Sequence, residues 1–231
     1  MRLVMTGAFG VLLFCAVASS AAEADLWIAP VDVVKVVPSP PAPGSRIEQE
    51  EIAEIHRAQA AALPPAKALA QHDNDIENPT IFSDVIGWDL SKLPKTKFLM
   101  SKIMEVDRVE SDKTKAVFHR PRPWMADPRI QTCAQHRDGP QLNSYPSGHA
   151  MLGYELGVVL ASLIPEKAQA ILARARLYGE NRILCGFHFR SDVTAGRQYG
   201  TALAEAMLKH PQFHAAFLEA RSELIAAGLT H

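Results

Sequence analysis

The chain has 231 residues, of which 48% are apolar and 21% are charged, a balance typical of a globular protein with one sizeable core. We therefore expect a single folded domain. The formal net charge of −1 at pH 7 provides no long-range field that would gather a nucleic acid. We exclude polynucleotide partners on this ground and expect any anion site to be a local cluster of Lys and Arg.

The first residues have the pattern of a secretory signal peptide. An apolar run over residues 3–17 follows a basic start, and small residues occupy 18–22. The run is shorter than the roughly 20 residues that a membrane-spanning helix needs. We predict a signal peptide over residues 1–24 that is cleaved, which leaves a periplasmic or secreted protein without a membrane span. A retained membrane anchor and lipidation at Cys15 are the alternatives, and the bulky Phe14 before the cysteine disfavours lipidation.

The remaining cysteines indicate a disulfide bond. Cleavage of the signal peptide removes Cys15 and leaves Cys133 and Cys185, an even pair in a protein sent to an oxidising compartment. A bond between them would close a loop of roughly fifty residues and stabilise the fold by about 4 kcal/mol in the chain-entropy treatment. Two buried free thiols are the alternative.

The spacing of apolar residues predicts an all-α protein. Prolines crowd the segment before Arg46, so we predict a proline-rich N-terminal arm over residues 25–45 and a helical domain over residues 46–231. No stretch alternates as a strand would. Apolar residues recur at helical spacing from Arg46 onward and over Lys95–Phe118, Ser147–Leu163, Glu166–Tyr178, Ser191–Leu208 and Gln212–Ala227.

One of these helices begins with a sequence suited to binding an anion. In Pro146-Ser147-Gly148-His149, Ser147 is placed to cap the helix, and the first backbone N–H groups have no partner within it. Gly148 allows close approach of a ligand, and His149 adds an ionisable group in the first turn. A plain helix cap with a surface histidine is the alternative.

A histidine and a carboxylate follow at a spacing that favours nucleophilic chemistry. His188 and Asp192 are four residues apart, and they share one face if the helix begins by Phe187 or earlier. The carboxylate would hold one ring nitrogen and leave the other free to attack. A metal pair is the competing interpretation, but the other histidines form no cluster with ligand spacing, so we predict neither a metal nor another cofactor.

The candidate cations for an anionic substrate are Lys115, Arg122 and Arg182, for each of which a solvated surface position is the alternative. A lysine charge and two guanidinium forks could together neutralise a dianionic phosphoryl group. The Arg-Pro step is doubled, so Lys113 with Arg120 is a second register of the same pattern. We prefer Lys115 with Arg122, because proteins with a similar motif tend to carry a basic residue two positions before the arginine and an aromatic residue after its proline, as Arg120 and Trp124 are here.

Together these motifs resemble the three-part signature of the phosphatidic acid phosphatase type 2 superfamily, and in detail that of the bacterial class A non-specific acid phosphatases. The resemblance implies a helical bundle of the acid phosphatase and vanadium haloperoxidase type. It implies that His188 attacks phosphorus, Asp192 orients it and His149 protonates the departing oxygen. It also implies a Cys133–Cys185 pair and a phosphate site formed by Lys115, Arg122, Ser147, Gly148 and Arg182.

The expected function is therefore metal-independent hydrolysis of small phosphomonoesters with release of inorganic phosphate; homo-oligomerisation is left open. One residue departs from the pattern: Asn181 stands where relatives usually have serine, which could shift the phosphate. A lipid phosphate phosphatase, a vanadium-dependent haloperoxidase and a phosphate-binding protein without turnover are the alternatives.

Overall fold

The computed structural model describes residues 26–136 and 139–231. In these ranges the chain has helices and no strand, which confirms the predicted all-α class. None of these helices combines the length and hydropathy that crossing a bilayer requires. The predicted signal peptide, residues 1–24, lies outside the described residues. The helices are α1 (Val33–Val36), α2 (Arg46–Ala61), α3 (Pro64–Asp75), α4 (Ser83–Ile86), α5 (Pro94–Phe118), α6 (Pro123–Ala126), α7 (Gly148–Leu163), α8 (Ala168–Leu184), α9 (Arg190–Lys209) and α10 (Pro211–Ala226).

The boundaries differ from the sequence prediction at two places that matter for the site. Helix α8 continues six residues beyond the predicted end at Tyr178, and helix α3 was not predicted at all. Prolines occupy the first two positions of α3, where a missing N–H costs nothing. Proline at these positions is a helix-start signal that the spacing of apolar residues does not contain.

Helix α7 is the centre of the core and packs against α8 on one side and α9 on the other. Glycines bring these helices close. A Cβ at Gly157 would lie 2.9 Å from the Ala175 side chain of α8. A Cβ at Gly196 or Gly200 of α9 would overlap the main-chain carbonyl oxygens of Ser147 and Met151. The backbones of α7 and α9 therefore touch near the start of α7, where a larger residue would force them apart.

Helix α5 ends just before the loop that contains Arg120 and Arg122. The helix ends at Phe118, and His119 adopts a left-handed conformation with φ of 48°. Pro121 follows, and proline disfavours helical geometry in the residue before it. The predicted end of this helix at Phe118 is thus confirmed, and Arg120 and Arg122 lie beyond it.

The described part of the predicted arm, residues 26–45, packs on the helical domain. Val33 and Val37 join the main apolar core. The Tyr145 hydroxyl donates to the Pro38 carbonyl oxygen at 2.5 Å. The division of the chain into arm and domain stays a prediction.

A disulfide bond joins Cys133 to Cys185, as predicted, and the alternative of two free thiols is therefore wrong. The N–H of Cys133 also donates to the Cys185 carbonyl oxygen at 3.2 Å. The bond ties the loop between α6 and α7 to the end of α8, three residues before His188. Its partners are 52 residues apart, so closing the loop stabilises the fold by about 4 kcal/mol in the chain-entropy treatment.

The contact between α7 and α9 can be tested with Gly200→Ala. The added methyl group meets main-chain atoms of Met151 that cannot rotate away, so we expect a loss of about 1–3 kcal/mol in the free energy of unfolding. Gln198→Ala, on the exposed face of the same helix, should change it by less than about 0.5 kcal/mol. Urea denaturation measures both, and equal effects would contradict the close contact.

Candidate active site

A cavity of about 300 Å³ opens where the start of α7, the C-terminal half of α5 and the loop before α9 meet. It brings together most of the residues singled out in the sequence: Lys115, Arg122, Gly148, His149, Arg182 and His188. Ser147 and Asp192 are completely buried and stand behind this lining. The cavity continues into a wider opening lined by residues of α5 and by Glu77.

Helix α7 presents Gly148 and His149 to the cavity. Ser147 is the N-cap, and its hydroxyl accepts the N–H of Ala150 at 3.4 Å, as predicted. A Cβ at position 148 would lie 3.1 Å from Ser111 Oγ and 3.6 Å from Lys115 Nζ. Glycine therefore keeps the helix terminus open beside the lysine, which suits an anion.

The nucleophile candidate His188 is buried and precedes α9. The condition for a shared helical face, a helix that begins by Phe187 or earlier, is not met, because α9 begins at Arg190. Asp192 instead occupies the third position of the helix and reaches back: its Oδ2 accepts the N–H of Phe189 at 2.9 Å and lies 3.3 Å from His188 Nδ1. The expected carboxylate–histidine contact therefore exists, but it is formed by a capping interaction.

The tautomer of His188 follows from its partners. Arg122 Nη1 lies 2.8 Å from His188 Nε2, and a guanidinium can only donate. Nε2 must therefore carry the lone pair, and the proton sits on Nδ1, facing Asp192. Burial lowers the pKa of His188 well below its ordinary value, and the Arg122 and Arg182 cations lower it further. The ring is neutral, as a nucleophile must be.

Asp192 is anchored by more than His188. Arg120 Nη1 donates to its Oδ1 at 2.5 Å, and the Ser144 hydroxyl donates to Oδ2 at 2.6 Å. The same arginine donates through Nη2 to Glu51 of α2 at 2.9 Å. Burial raises the pKa of Asp192 to about 6, against the opposing effect of Arg120.

This placement separates the two registers of the lysine-arginine pattern. Lys115 and Arg122 line the cavity, whereas Lys113 points to Glu110 at 3.0 Å and Arg120 is buried in the ion-pair network. Burial lowers the pKa of Arg122 to about 10, so the side chain is still a cation at neutral and acidic pH. The geometry favours the preferred register for an anion site.

Arg182 projects from the last turn of α8. Its Nη1 donates to Asn74 Oδ1 at 2.6 Å, and its guanidinium lies over the Phe187 ring, 4.8 Å from the centroid. Its Nε is buried and has no hydrogen-bond partner among the described residues. Asn181 turns away and donates to Asp73 at 2.7 Å, so it acts behind the cavity wall.

Several cavity residues were not found from the sequence. Asp107 and Ser111 lie on α5 at four-residue spacing before Lys115, and helical periodicity could have revealed them. Asn74 and Glu77 come from the end of α3 and the segment after it. Nothing local marks them, because the fold brings them to His149 across more than seventy residues.

Comparison with known proteins identifies the family. The profile described as the PAP2 superfamily matches residues 99–214, about half of the chain. The chain belongs to the PAP2 superfamily. This match confirms the resemblance drawn from the motifs, and all the cavity-lining motif residues fall within the matched range. No group of His, Cys, Asp or Glu side chains in the described ranges is arranged to hold a metal ion.

Relatives within the PAP2 superfamily carry the name acid phosphatase. The "Acid phosphatase" of Zymomonas mobilis is 28% identical over 80% of this chain and 72% of its own length. The "Non-specific acid phosphatase" of Providencia stuartii is 27% identical over 84% of this chain and 81% of its own. That of Salmonella typhimurium is 30% identical over 68% of this chain and 65% of its own.

The ion-pair network can be tested with Arg120→Met. Loss of the guanidinium leaves Glu51 and Asp192 buried without their cation, so we expect a loss of about 3–5 kcal/mol in the free energy of unfolding. Lys113→Met removes a half-exposed pair and should cost less than about 1 kcal/mol. Chemical denaturation compares them, and a mild effect of Arg120→Met would show that the network adds little.

The buried carboxyl group of Glu155 makes the free energy of unfolding depend on pH. Glu155 of α7 is fully buried, and neither carboxyl oxygen has a hydrogen-bond partner among the described residues. Burial raises its pKa well above the ordinary value, and the Asp107 and Glu110 carboxylates raise it further. The folded state thus holds this proton more tightly than the unfolded chain. The resulting stability is complete below about pH 4 and is lost as pH rises through the folded-state pKa.

Glu155→Gln tests this dependence. A neutral amide removes the charge that burial penalises, so the variant should be more stable than the wild type near pH 8 and close to it near pH 5. Melting temperatures across this range measure the difference. Glu205→Gln, which removes an exposed charge on α9, serves as the control. A parallel pH profile of Glu155→Gln and the wild type would contradict the assignment.

Proposed function

We propose that this protein is a metal-independent acid phosphatase that hydrolyses small phosphomonoesters through a phosphohistidine on His188. Family membership and the named relatives support the enzyme class. The observation that carries the mechanism is the neutral His188, whose Nδ1 faces Asp192 and whose Nε2 lone pair faces the cavity cations. A nucleophile of this kind needs an adjacent electrophile held by positive charge.

In the proposed first step the phosphoryl group lies among Lys115, Arg122 and Arg182, with the Gly148 N–H at the helix terminus. Arg122 would turn part of its donor set from His188 Nε2 to a phosphate oxygen, which frees the lone pair. Nε2 then forms a bond to phosphorus while the ester P–O bond breaks. His149 gives a proton to the departing oxygen, and the alcohol leaves.

In the second step water attacks the phosphohistidine. The P–N bond breaks, His149 takes a proton from the water, and inorganic phosphate leaves with His188 neutral again. Asp192 would stabilise the positive charge that the ring carries while phosphorylated. The cavity cations supply the charge compensation that a metal ion provides in other phosphatases. Lipid substrates, haloperoxidase chemistry and binding without turnover are the other outcomes.

His188→Ala is the direct test, with turnover of a chromogenic phosphomonoester followed from about pH 4 to pH 9 in EDTA. We expect EDTA-resistant turnover in the wild type and a loss of about three orders of magnitude or more in the variant. His214→Ala, an exposed histidine on α10, should behave as the wild type.

Base-quenched mixtures with labelled substrate should contain phosphoprotein that is stable to alkali and labile to acid in the wild type only. An active His188→Ala variant would overturn the mechanism. Absence of wild-type turnover would direct attention to the alternatives, of which haloperoxidase chemistry is tested by bromide oxidation with vanadate and peroxide.

The predicted periplasmic or secreted location is part of the same proposal. It is supported by the signal-like residues 1–24 and by the Cys133–Cys185 bond, since disulfides persist in oxidising compartments.

A further inference from the structure

His149 is flanked by hydrogen-bond acceptors on both sides of its ring. Nδ1 lies 3.1 Å from Glu77 Oε1, and Nε2 lies 3.3 Å from the Asn74 carbonyl oxygen. The Asn74 carbonyl oxygen can only accept, so its contact requires a proton on Nε2. The negative charge of Glu77 beside Nδ1 favours a second proton there. A neutral imidazole carries one such proton and the imidazolium carries two, so these two neighbours favour the cation.

Burial and the neighbouring cations favour the neutral form of His149 instead. Burial lowers the pKa of His149 well below its ordinary value, the Arg182 cation lowers it further, and the Asn74 carbonyl opposes the fall. The ring also stacks on Tyr178, with centroids 5.3 Å apart. The charged and titratable groups that face it are Lys115 and Asp107 from α5, Tyr178 and Arg182 from α8, Arg122 and His188 from the loops, and Glu77.

Glu77 differs from the other acidic group of the cavity because it touches the ring. The described structure gives Asp107 no contact with His149, and burial raises the pKa of Asp107 to about 7, so much of it is neutral under acidic conditions. Glu77 also acts on the wider site, because its charge raises the pKa of Lys115 and of Arg182. Glu77 is thus placed to offset the effect of the cations on the proton of His149.

We propose that Glu77 is a positioning residue that keeps His149 protonated and oriented for proton donation to the leaving oxygen. The inference rests on the phosphatase function proposed above. It adds that Glu77 stabilises the positive charge of the proton donor, His149. The negative charge of Glu77 beside Nδ1 favours retention of Nδ1–H, so the Nε2 proton is the one passed on.

The protons balance over the cycle. As the ester P–O bond breaks, the Nε2 proton moves to the leaving oxygen and His149 becomes neutral with Nδ1–H still held by Glu77. Nε2, now without the proton that it shared with the Asn74 carbonyl oxygen, takes a proton from the attacking water. Glu77 places a carboxylate beside Nδ1 of His149, as Asp192 does beside Nδ1 of His188, but its side chain is mostly exposed.

The test compares two esters that differ in their need for a proton. Glycerol 2-phosphate releases an alkoxide that must be protonated, whereas 2,4-dinitrophenyl phosphate releases a stable phenolate. Glu77→Gln keeps an acceptor for Nδ1–H and removes the charge. We expect kcat/KM for the alkyl ester to fall about tenfold or more and that for the aryl ester to stay within about twofold.

The pH profile provides a readout that a purely structural role would not change. Removing the carboxylate lowers the pKa of His149, so the basic limb of kcat/KM for the alkyl ester should move to lower pH by about one unit. Glu77→Asp keeps the charge on a shorter side chain, so its basic limb should lie between those of Glu77→Gln and the wild type.

Glu105→Gln is the matched control. It removes the same charge from the opening next to the cavity, where Glu105 pairs with Lys102 at 2.9 Å and has no described contact with His149. Its kcat/KM should match the wild type for both esters. Equal losses on both esters in Glu77→Gln, an unmoved basic limb, or the same effect in Glu105→Gln would overturn the proposal.

Failure of the proposed phosphatase function would give a different experimental result. It would appear as a wild-type protein that hydrolyses neither ester, or as a His188→Ala variant that hydrolyses both. Melting temperatures of the Glu77 variants should equal that of the wild type, because the Glu77 side chain is mostly exposed.

Discussion

The carboxylate of Asp192 joins the parts of the molecule that must be aligned for chemistry. It accepts from the N–H of Phe189, the hydroxyl of Ser144 and the guanidinium of Arg120, and it faces His188 Nδ1. A carboxylate offers about four acceptor sites, so these partners use its capacity. The oxygen that faces His188 Nδ1, Asp192 Oδ2, also accepts the N–H of Phe189 at the start of α9. The position of His188 is therefore linked to the start of the helix.

One electrostatic field acts on both histidines, yet their partners differ. Arg122, Arg182 and Lys115 lower the pKa of His188 and of His149 alike. His188 faces a donor on Nε2 and a carboxylate on Nδ1, which suits a neutral ring. His149 faces acceptors on both nitrogens, which suits a cation. The neighbours of the two rings thus favour opposite protonation states in one cavity, although burial and the same cations act on both.

Local patterns predicted the long helices and the cavity motifs, because both depend on spacing within one segment. They did not single out Glu51, which the fold buries against Arg120, 69 residues away. The pairing of Glu77 with His149 spans 72 residues and has no local trace. The preference for Lys115 and Arg122 came from flanking residues and agrees with their placement. Contacts between distant segments can be predicted only when the topology of the fold is known.

The glycine contact between α7 and α9 has a consequence for engineering. Gly196 and Gly200 let main chain rest on main chain, so the spacing between the two histidine-bearing segments is set by backbone and not by replaceable side chains. The opening of the cavity is built elsewhere, from the end of α3 and the middle of α5. Libraries aimed at new substrates can be confined to those two segments, while the frame that holds the reacting groups keeps its dimensions.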